Sequence, residues 1–338
     1  MATGRCRSLN DYTVGWLCAL PEEMAAAEVM LDETHPALPL PESDLNVYTF
    51  GRIGKHCIVI ACLPAGEYGT TNATAAVTHL TSTFGRSFRF GLMVGIGGGI
   101  PNEIEDIRLG DVVVSQPKSA YGGVVRYDYG KALHDGIFQS IGQLNSPPNN
   151  LLSALSKLQA RHYRGSKEFM SFLGSIGQDN PGFSVKAFRP AQEDRLYCAS
   201  YEHVGGSATA CSDCDITKTI SRAPRLTSEP EIHYGIIASG NNLVRDSRLR
   251  DRIGREFNAY CLDMESAGLM NHYPCLVIRG ISDYADSHKN DQWRGYAAVV
   301  AAAYAKEFLL TVPVAQARSP ELMMNGSTSL TVIAPVPF

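Results

Sequence analysis

The sequence predicts an α/β protein with a central, mostly parallel mixed sheet flanked by helices. Short apolar runs alternate with helical patterns from residue 13 to about 110, and the alternation resumes from about 233 to 311. Such alternation implies parallel strands covered on both faces. The chain has 338 residues, of which 44% are hydrophobic and 19% charged, with 31 Gly and 18 Pro. That composition fits a globular chain of enzyme size and excludes collagen-like, coiled-coil and wholly disordered alternatives.

Val14 to Leu20 is a continuous apolar run, read as a buried strand, and Pro21 opens a helix over Glu22 to Ala27. Val47 to Phe50 and Cys57 to Leu63 flank Gly51 to His56 and read as a hairpin. A helix is predicted over Thr70 to Phe84, a buried strand over Phe90 to Val94 running into a glycine-rich turn at Gly95 to Gly99, and another strand over Asp111 to Ser115. Residues 116 to 232 are weakly periodic apart from an amphipathic helix near Leu151 to Tyr163, and about 165 to 230 reads as an insertion. The core resumes with strands at Tyr234 to Ser239, Ala259 to Leu262 and Cys275 to Ile281. Helices near Leu243 to Phe257 and Ser266 to His272 separate them, and Asp291 to Leu310 closes the domain. The polar segment 313–338 is expected to be a flexible tail or linker.

Thirty Lys and Arg against 34 Asp and Glu give a net charge of -4 with no concentrated basic face, so no nucleic-acid partner is expected. No apolar run is long enough to span a bilayer and the first residues lack a signal core, so a cytoplasmic protein without membrane contact is expected. Nine cysteines, among them Cys18, Cys57, Cys62, Cys261 and Cys275 in apolar segments, suit reduced core thiols better than a disulfide framework.

Acidic residues lie just past three buried strands: Glu22 and Glu23, Asp263 and Glu265, and Asp283. Ligands of open α/β sheets bind outside the carboxyl ends of the strands, so these positions can converge on one site. Each acid taken alone reads equally well as a helix N-terminal residue facing the helix dipole. The glycine stretch lacks Gly-x-Gly-x-x-Gly spacing, having Ile100 and Pro101 where the pattern fails, which disfavours nicotinamide binding. Its glycines still let a small ligand approach bare backbone N–H groups. Zinc-peptidase and serine-hydrolase signatures are absent. Cys211 and Cys214 form a Cys-x-x-Cys that Cys198 and His203 could complete as a zinc set, but two free thiols in a surface loop is the favoured reading, with no metal and no cofactor.

Six segments occur in a telling order: Val14 to Met24, Gly95 to Gly99, Gly110 to Ser115, Gly235 to Gly240, Asp263 to Ala267 and Arg279 to Asp286. Together they resemble the nucleoside phosphorylase superfamily, nearest its methylthioadenosine/S-adenosylhomocysteine nucleosidase branch, over residues 12–312 outside the insertion. The chain is also similar to the nucleosidase-like N-terminal domains of fungal multidomain receptors. The resemblance implies a three-layer nucleoside-phosphorylase-like fold and a purine nucleoside N-ribohydrolase that acts on the adenosine, inosine or guanosine class as a homo-oligomer, dimer or trimer. It implies that Asp283 protonates purine N7, that Glu265 takes hydrogen bonds from the ribose with Met264 against the sugar, and that Glu23 is the base on water held with Arg279. Gly97, Gly98, Ser239, Asn241 and Ser282 would complete the substrate site. Where bacterial nucleosidases carry Ser and Asp, this chain has Ile96 and Asn241, which leaves the preferred base open. Phosphorylases of the superfamily place arginines near the first strand and before the glycine stretch; here Glu22, Glu23 and Met93 stand there, so water is the expected acceptor. The alternatives are a purine nucleoside phosphorylase and a nucleoside-sensing signalling module.

Overall fold

The computed structural model describes residues 8–85, 87–102, 105–132, 138–179, 188–205 and 211–314. The expected tail therefore lies almost wholly outside the described residues. The strands are β1 (Val14–Cys18), β2 (Glu33–His35), β3 (Tyr48–Ile53), β4 (His56–Cys62), β5 (Phe90–Gly99), β6 (Val112–Ser115), β7 (Val124–Arg126), β8 (Gly130–Ala132), β9 (Phe138–Ser140), β10 (Ile232–Ser239), β11 (Ala259–Asp263) and β12 (Cys275–Asp283). The helices are α1 (Pro21–Glu28), α2 (Thr70–Phe84), α3 (Asn149–Tyr163), α4 (Phe169–Asp179), α5 (Ser247–Phe257) and α6 (Arg294–Thr311). The main sheet runs β11-β10-β6-β12-β5-β1-β4-β3-β2, with β7 beside β10. Strands β1, β4, β5 and β12 are mutually parallel, β6 lies antiparallel to β12, and β11 crosses back to pair antiparallel with β5.

Alternation along the strands builds the three layers. Val14, Trp16 and Cys18 of β1 join one apolar cluster with α1, α3, α4 and α6, whereas Leu17 joins the opposite cluster with α2. Side chains two apart share a sheet face, so a strand that is apolar throughout feeds both layers at once. The alanine run of α6, Ala297 to Ala305, is buried on every side, as a helix sandwiched in a core must be.

Several boundaries depart from expectation. The glycine stretch is not a turn but the second half of β5: Gly97 and Gly98 pair with β12, while Gly98 and Gly99 pair with β11. A Cβ at Gly97 would stand 2.9 Å from the Leu262 carbonyl oxygen, so only bare backbone lets β11 come this close. The helix expected at Ser266 to His272 is a short 3₁₀ turn at Ser266–Gly268. Helix α5 starts at Ser247 because Asp246 caps it, accepting from the Arg248 and Leu249 N–H groups.

Within the stretch expected to be an insertion, α4 packs into the main core, with Phe169 fully buried. Glu307 of α6 caps it from a distance: its carboxylate accepts from the backbone N–H groups of Glu168 and Phe169, each at 3.1 Å. Cys57 is disulfide-bonded rather than reduced, whereas Cys18, Cys62, Cys261 and Cys275 are free thiols. No helix among the described residues is long and apolar enough to cross a membrane.

Candidate active site

Glu23 reaches the site because β1 hands directly to α1. Pro21 sets the first helical turn and Glu23 folds back over the junction, its Oε2 accepting from the N–H of Ala19 at 2.7 Å and of Leu20 at 3.1 Å. The helix-terminus role is therefore real, but it uses one oxygen only. Oε1 accepts from the Ile96 N–H of β5 at 2.8 Å, tying the helix start to the sheet. A carboxylate offers about four acceptor positions. Three are filled by backbone, which leaves one. Burial pushes the Glu23 carboxyl up, while Arg279 and the three N–H groups pull it back toward the ionised form.

Arg279, on β12, is fully buried. Its Nε donates to Asp263 Oδ2 at 2.8 Å, and its Nη2 lies 2.7 Å from the same oxygen and 3.3 Å from Glu265 Oε2. Burial works against its charge, but Asp263, Glu265 and Glu23 outweigh burial and hold it ionised. Its Nη1 has no hydrogen-bond partner. Gly95 explains how this guanidinium and Glu23 occupy one level of the sheet. A Cβ there would lie 2.4 Å from Glu23 Oε1 and 2.5 Å from Arg279 Nη1. The missing side chain is the space in which the two groups face each other.

Glu265 follows β11 and is 6% exposed, accepting from the Gly69 N–H at 3.3 Å as well as from Arg279. Burial raises its carboxyl, Arg279 opposes that, and the charges of Asp263 and Glu23 add to it, so it is pushed up to about 7. At neutral pH this group can pass between protonated and ionised states.

Asp283 ends β12. Its Oδ2 accepts from Ser282 Oγ at 2.7 Å and pairs with Lys289 Nζ at 2.5 Å, and its Oδ1 accepts from the Ala285 N–H at 2.9 Å.

These groups surround a cavity of about 1090 Å³. Glu23, Glu265, Met264, Gly97, Gly98 and Ser282 all line it. Asp283 lines a smaller neighbouring cavity that shares Ser282 and Asn290 with the large one. The structure thus gathers Glu23, Arg279, Met264, Glu265, Gly97, Gly98, Ser282 and Asp283 at one edge of the sheet. Ser239 and Asn241 do not line the cavity. Ser239 is buried with its Oγ accepting from the Ala267 N–H at 2.9 Å, which braces the turn after Glu265. Asn241 Oδ1 accepts from the N–H and hydroxyl of Thr70, which fixes the start of α2 beside the Gly69 N–H that serves Glu265.

Sequence reasoning missed Lys289 on Asp283, the role of Asp263 as the chief counter-charge of Arg279, and the rim. Arg189, Arg245, Lys289 and Arg294 line the cavity together with Asp291, Gln192 and Leu243. Arg189 and Arg245 are exposed, whereas Glu23 and Glu265 are buried. Buried acids therefore form the floor, and two exposed arginines stand at the mouth, where Arg294 is ion-paired with Glu22 and Asp291. Lys289 lies six residues past Asp283 and three past the Arg279 to Asp286 segment, and that nearness in sequence was the one available signal.

Comparison with known proteins agrees with this architecture. The chain is 43% identical over 319 residues to a nucleotide-binding leucine-rich repeat (NLR)-like protein of Hyaloscypha variabilis, covering 94% of this chain and 31% of that protein. It is 25% identical over 311 residues to the ATP nucleosidase Cap17 of Escherichia coli, covering 89% of this chain and 52% of that one. The chain thus spans about a third to a half of the length of these relatives. A solved 5'-methylthioadenosine/S-adenosylhomocysteine nucleosidase from Neisseria meningitidis superposes with a TM-score of 0.55 at 17% identity, over 88% of this chain and 98% of that one, and shares the fold. A family model described as the phosphorylase superfamily matches residues 13–312, and the chain belongs to that superfamily.

Proposed function

We propose that this site hydrolyses the N-glycosidic bond of a purine nucleoside. The observation that carries the reading is the juxtaposition, across Gly95, of Glu23 and an Arg279 Nη1 that has no hydrogen-bond partner, beneath a cavity lined by Glu23 and Glu265. Glu23 takes a proton from water as the oxygen attacks C1' of the sugar, and Arg279 Nη1 holds that water. Glu265 accepts hydrogen bonds from the ribose hydroxyls and, with Glu23, faces the positive charge that develops on the sugar. The bond from C1' to the base breaks, and the proton needed at purine N7 comes through Asp283, whose partner Lys289 keeps a donor at that place. Floor carboxylates favour water over phosphate. A dianion 4 Å from a carboxylate meets roughly 4 kcal/mol of repulsion per charge pair at an effective dielectric of about 20. The charge of Arg279 is already balanced by Asp263 and Glu265, so little of it is left to offset that repulsion.

The rim favours a substrate that itself carries phosphate at the 5' end. Arg189 and Arg245, exposed at the mouth of an acidic-floored cavity, suit a nucleotide whose base and sugar reach inward, whereas Lys289 is paired with Asp283 and Arg294 with Glu22 and Asp291. The similarity to an ATP nucleosidase points the same way. The test is chromatography of free base after incubation with adenosine, inosine, guanosine, AMP or ATP in phosphate-free buffer. Base release without phosphate supports hydrolysis. Release only on adding phosphate would make the protein a phosphorylase, and binding without release would make it a sensor. A rise in KM for ATP but not adenosine in R245A and R189A is expected; equal changes for both would remove the rim from phosphate recognition.

A further inference from the structure

Outside the cavity, the sequence feature that the proposed chemistry leaves unused is the Cys-x-x-Cys. Cys211 and Cys214 are buried, not the surface thiols expected, and share a small cluster of their own with Tyr197. His203 joins them: its Nδ1 lies 3.2 Å from Cys214 Sγ, and the donor atoms of all three residues lie within 4.8 Å of one another. As the side chains stand, neither Cys198, the other residue considered for this set, nor His288 is part of the group. Around a tetrahedral zinc, with bonds of about 2.3 Å to sulfur and 2.0–2.1 Å to nitrogen, the donors stand about 3.4–3.8 Å apart, so the His203–Cys214 contact would open slightly to admit the ion and separations nearer 4.8 Å would close.

A structural zinc site takes four ligands, and the fourth donor is suggested by an independent oddity. His288 is 7% exposed, yet neither ring nitrogen has a hydrogen-bond partner, and its Nδ1 stands 3.8 Å from Asp286 Oδ1, beyond hydrogen-bond reach. A buried imidazole left this way is costly unless something engages it. Its ring stacks on Tyr197 at 3.9 Å and on His203 at 5.5 Å between centroids, and its carbonyl oxygen lies 3.9 Å from Cys211 Sγ. Soft sulfur with imidazole selects zinc over calcium or magnesium.

We propose that His203, Cys211 and Cys214 bind one zinc ion, with His288 turning in its stack to supply the fourth ligand. The ion would staple residues 198–205 and 211–214 onto the loop after β12. That loop already receives a hydrogen bond from the His203 N–H to Ser287 Oγ at 3.0 Å, and it carries Lys289, the partner of Asp283. Cys211, His288 and Asp283 line the same small cavity. Zinc therefore positions the Lys289–Asp283 pair without touching substrate.

Metal content tests the site independently of turnover. The full chain is loaded with zinc under reducing conditions, desalted and assayed by elemental mass spectrometry, then reloaded with cobalt(II) for absorption spectroscopy. One zinc per chain is expected, together with a sulfur-to-cobalt charge-transfer band. Both should vanish in C211S/C214S, and the single H203A and H288A variants should lose zinc to a competing chelator at ~10-fold lower chelator concentration or less. Thermal melting of each variant identifies any that fails to fold, and H203A then decides, since His203 is only partly buried. Wild-type protein that retains no metal, Cys211 and Cys214 recovered as a disulfide under those conditions, or variants holding as much zinc as wild type would overturn the proposal. Full affinity in H288A alone would overturn the fourth ligand.

Discussion

Replacing Glu23 with Gln separates chemistry from scaffolding, because the structure allows both effects to be sized. Glu23 accepts three backbone N–H groups on two oxygens, Ala19 and Leu20 on one and Ile96 on the other. An amide keeps one acceptor. If its oxygen stays with Ala19 and Leu20, its NH2 faces the Ile96 N–H, and a buried donor left unpaired costs about 1–3 kcal/mol. Part of that cost is offset, since burial already pushes the Glu23 carboxyl up and a neutral amide escapes the desolvation penalty. A net loss of about 1 kcal/mol is expected, or a melting temperature lowered by roughly 2–4 °C. Removing a general base costs ~10²- to 10⁴-fold in rate, equivalent to about 3–5 kcal/mol of barrier. The kinetic effect should therefore far exceed the structural one. Turnover is measured as free base by chromatography, ligand binding by calorimetry and stability by thermal melting. Expected are kcat down at least ~100-fold, substrate binding within a few-fold of wild type and a small drop in melting temperature. An E23Q protein with kcat within tenfold of wild type would refute the role of Glu23 as base.

Three further outcomes follow from the same geometry. G95A forces a methyl between Glu23 and Arg279, and should cost about 1–3 kcal/mol in stability and nearly all turnover, read by melting and by the base-release assay; a fully active G95A would show that the pair tolerates separation. Because the Glu265 carboxyl is pushed up to about 7, kcat/KM should rise with pH through about 7 and level off above it, and E265Q should lose that limb from its pH profile. The stability sign is the reverse: the folded protein binds this proton more tightly than the unfolded chain, so this group's contribution to stability is present below about 4.5 and is lost as pH rises toward 7. Burial raises the Glu307 carboxyl, but the His162 hydrogen bond and the N–H groups of Phe169 and Glu168 bring it below its ordinary value. Its contribution should be present above about pH 4.5 and lost as pH falls through the folded value, and E307Q should destabilise by about 1–3 kcal/mol in urea unfolding, with α4 exchanging amide hydrogens faster.

Most of the layered fold was legible because strand and helix periods survive in short windows. Val14 to Leu20 is apolar throughout and Cys275 to Ile281 is so apart from Arg279, as strands buried on both faces must be, and acids placed just beyond them fell at one edge of the sheet. The misses share a physical cause. The Gly95 to Gly99 stretch looks like a turn locally and becomes strand only because β11 and β12 arrive from more than 150 residues away to pair with it. Helix α4 carries apolar residues at 169, 172, 173 and 176, a readable helical spacing, yet its glycines weaken it and its cap comes from Glu307, far along the chain. Ser239 and Asn241 stand where side chains meant for a ligand would stand, but their directions are set by the Ala267 and Thr70 N–H groups, which no local pattern reveals. Lys289 and Asp263 gain their roles only through partners that folding brings to them.

The return of β11 to β5 has a mechanical consequence. Strands β5, β12, β6, β10 and β11 close into a ring in which each is hydrogen-bonded on both sides. Gly95, Arg279 and Asp263 belong to this hoop, and Glu265 stands two residues past it, so shifting any of them would break ladders on two flanks. The mouth is built differently, from 188–192 and 289–294, which lie outside every strand. Accommodation of ligands of different length must then fall to the mouth, while the reacting end keeps one shape for all of them.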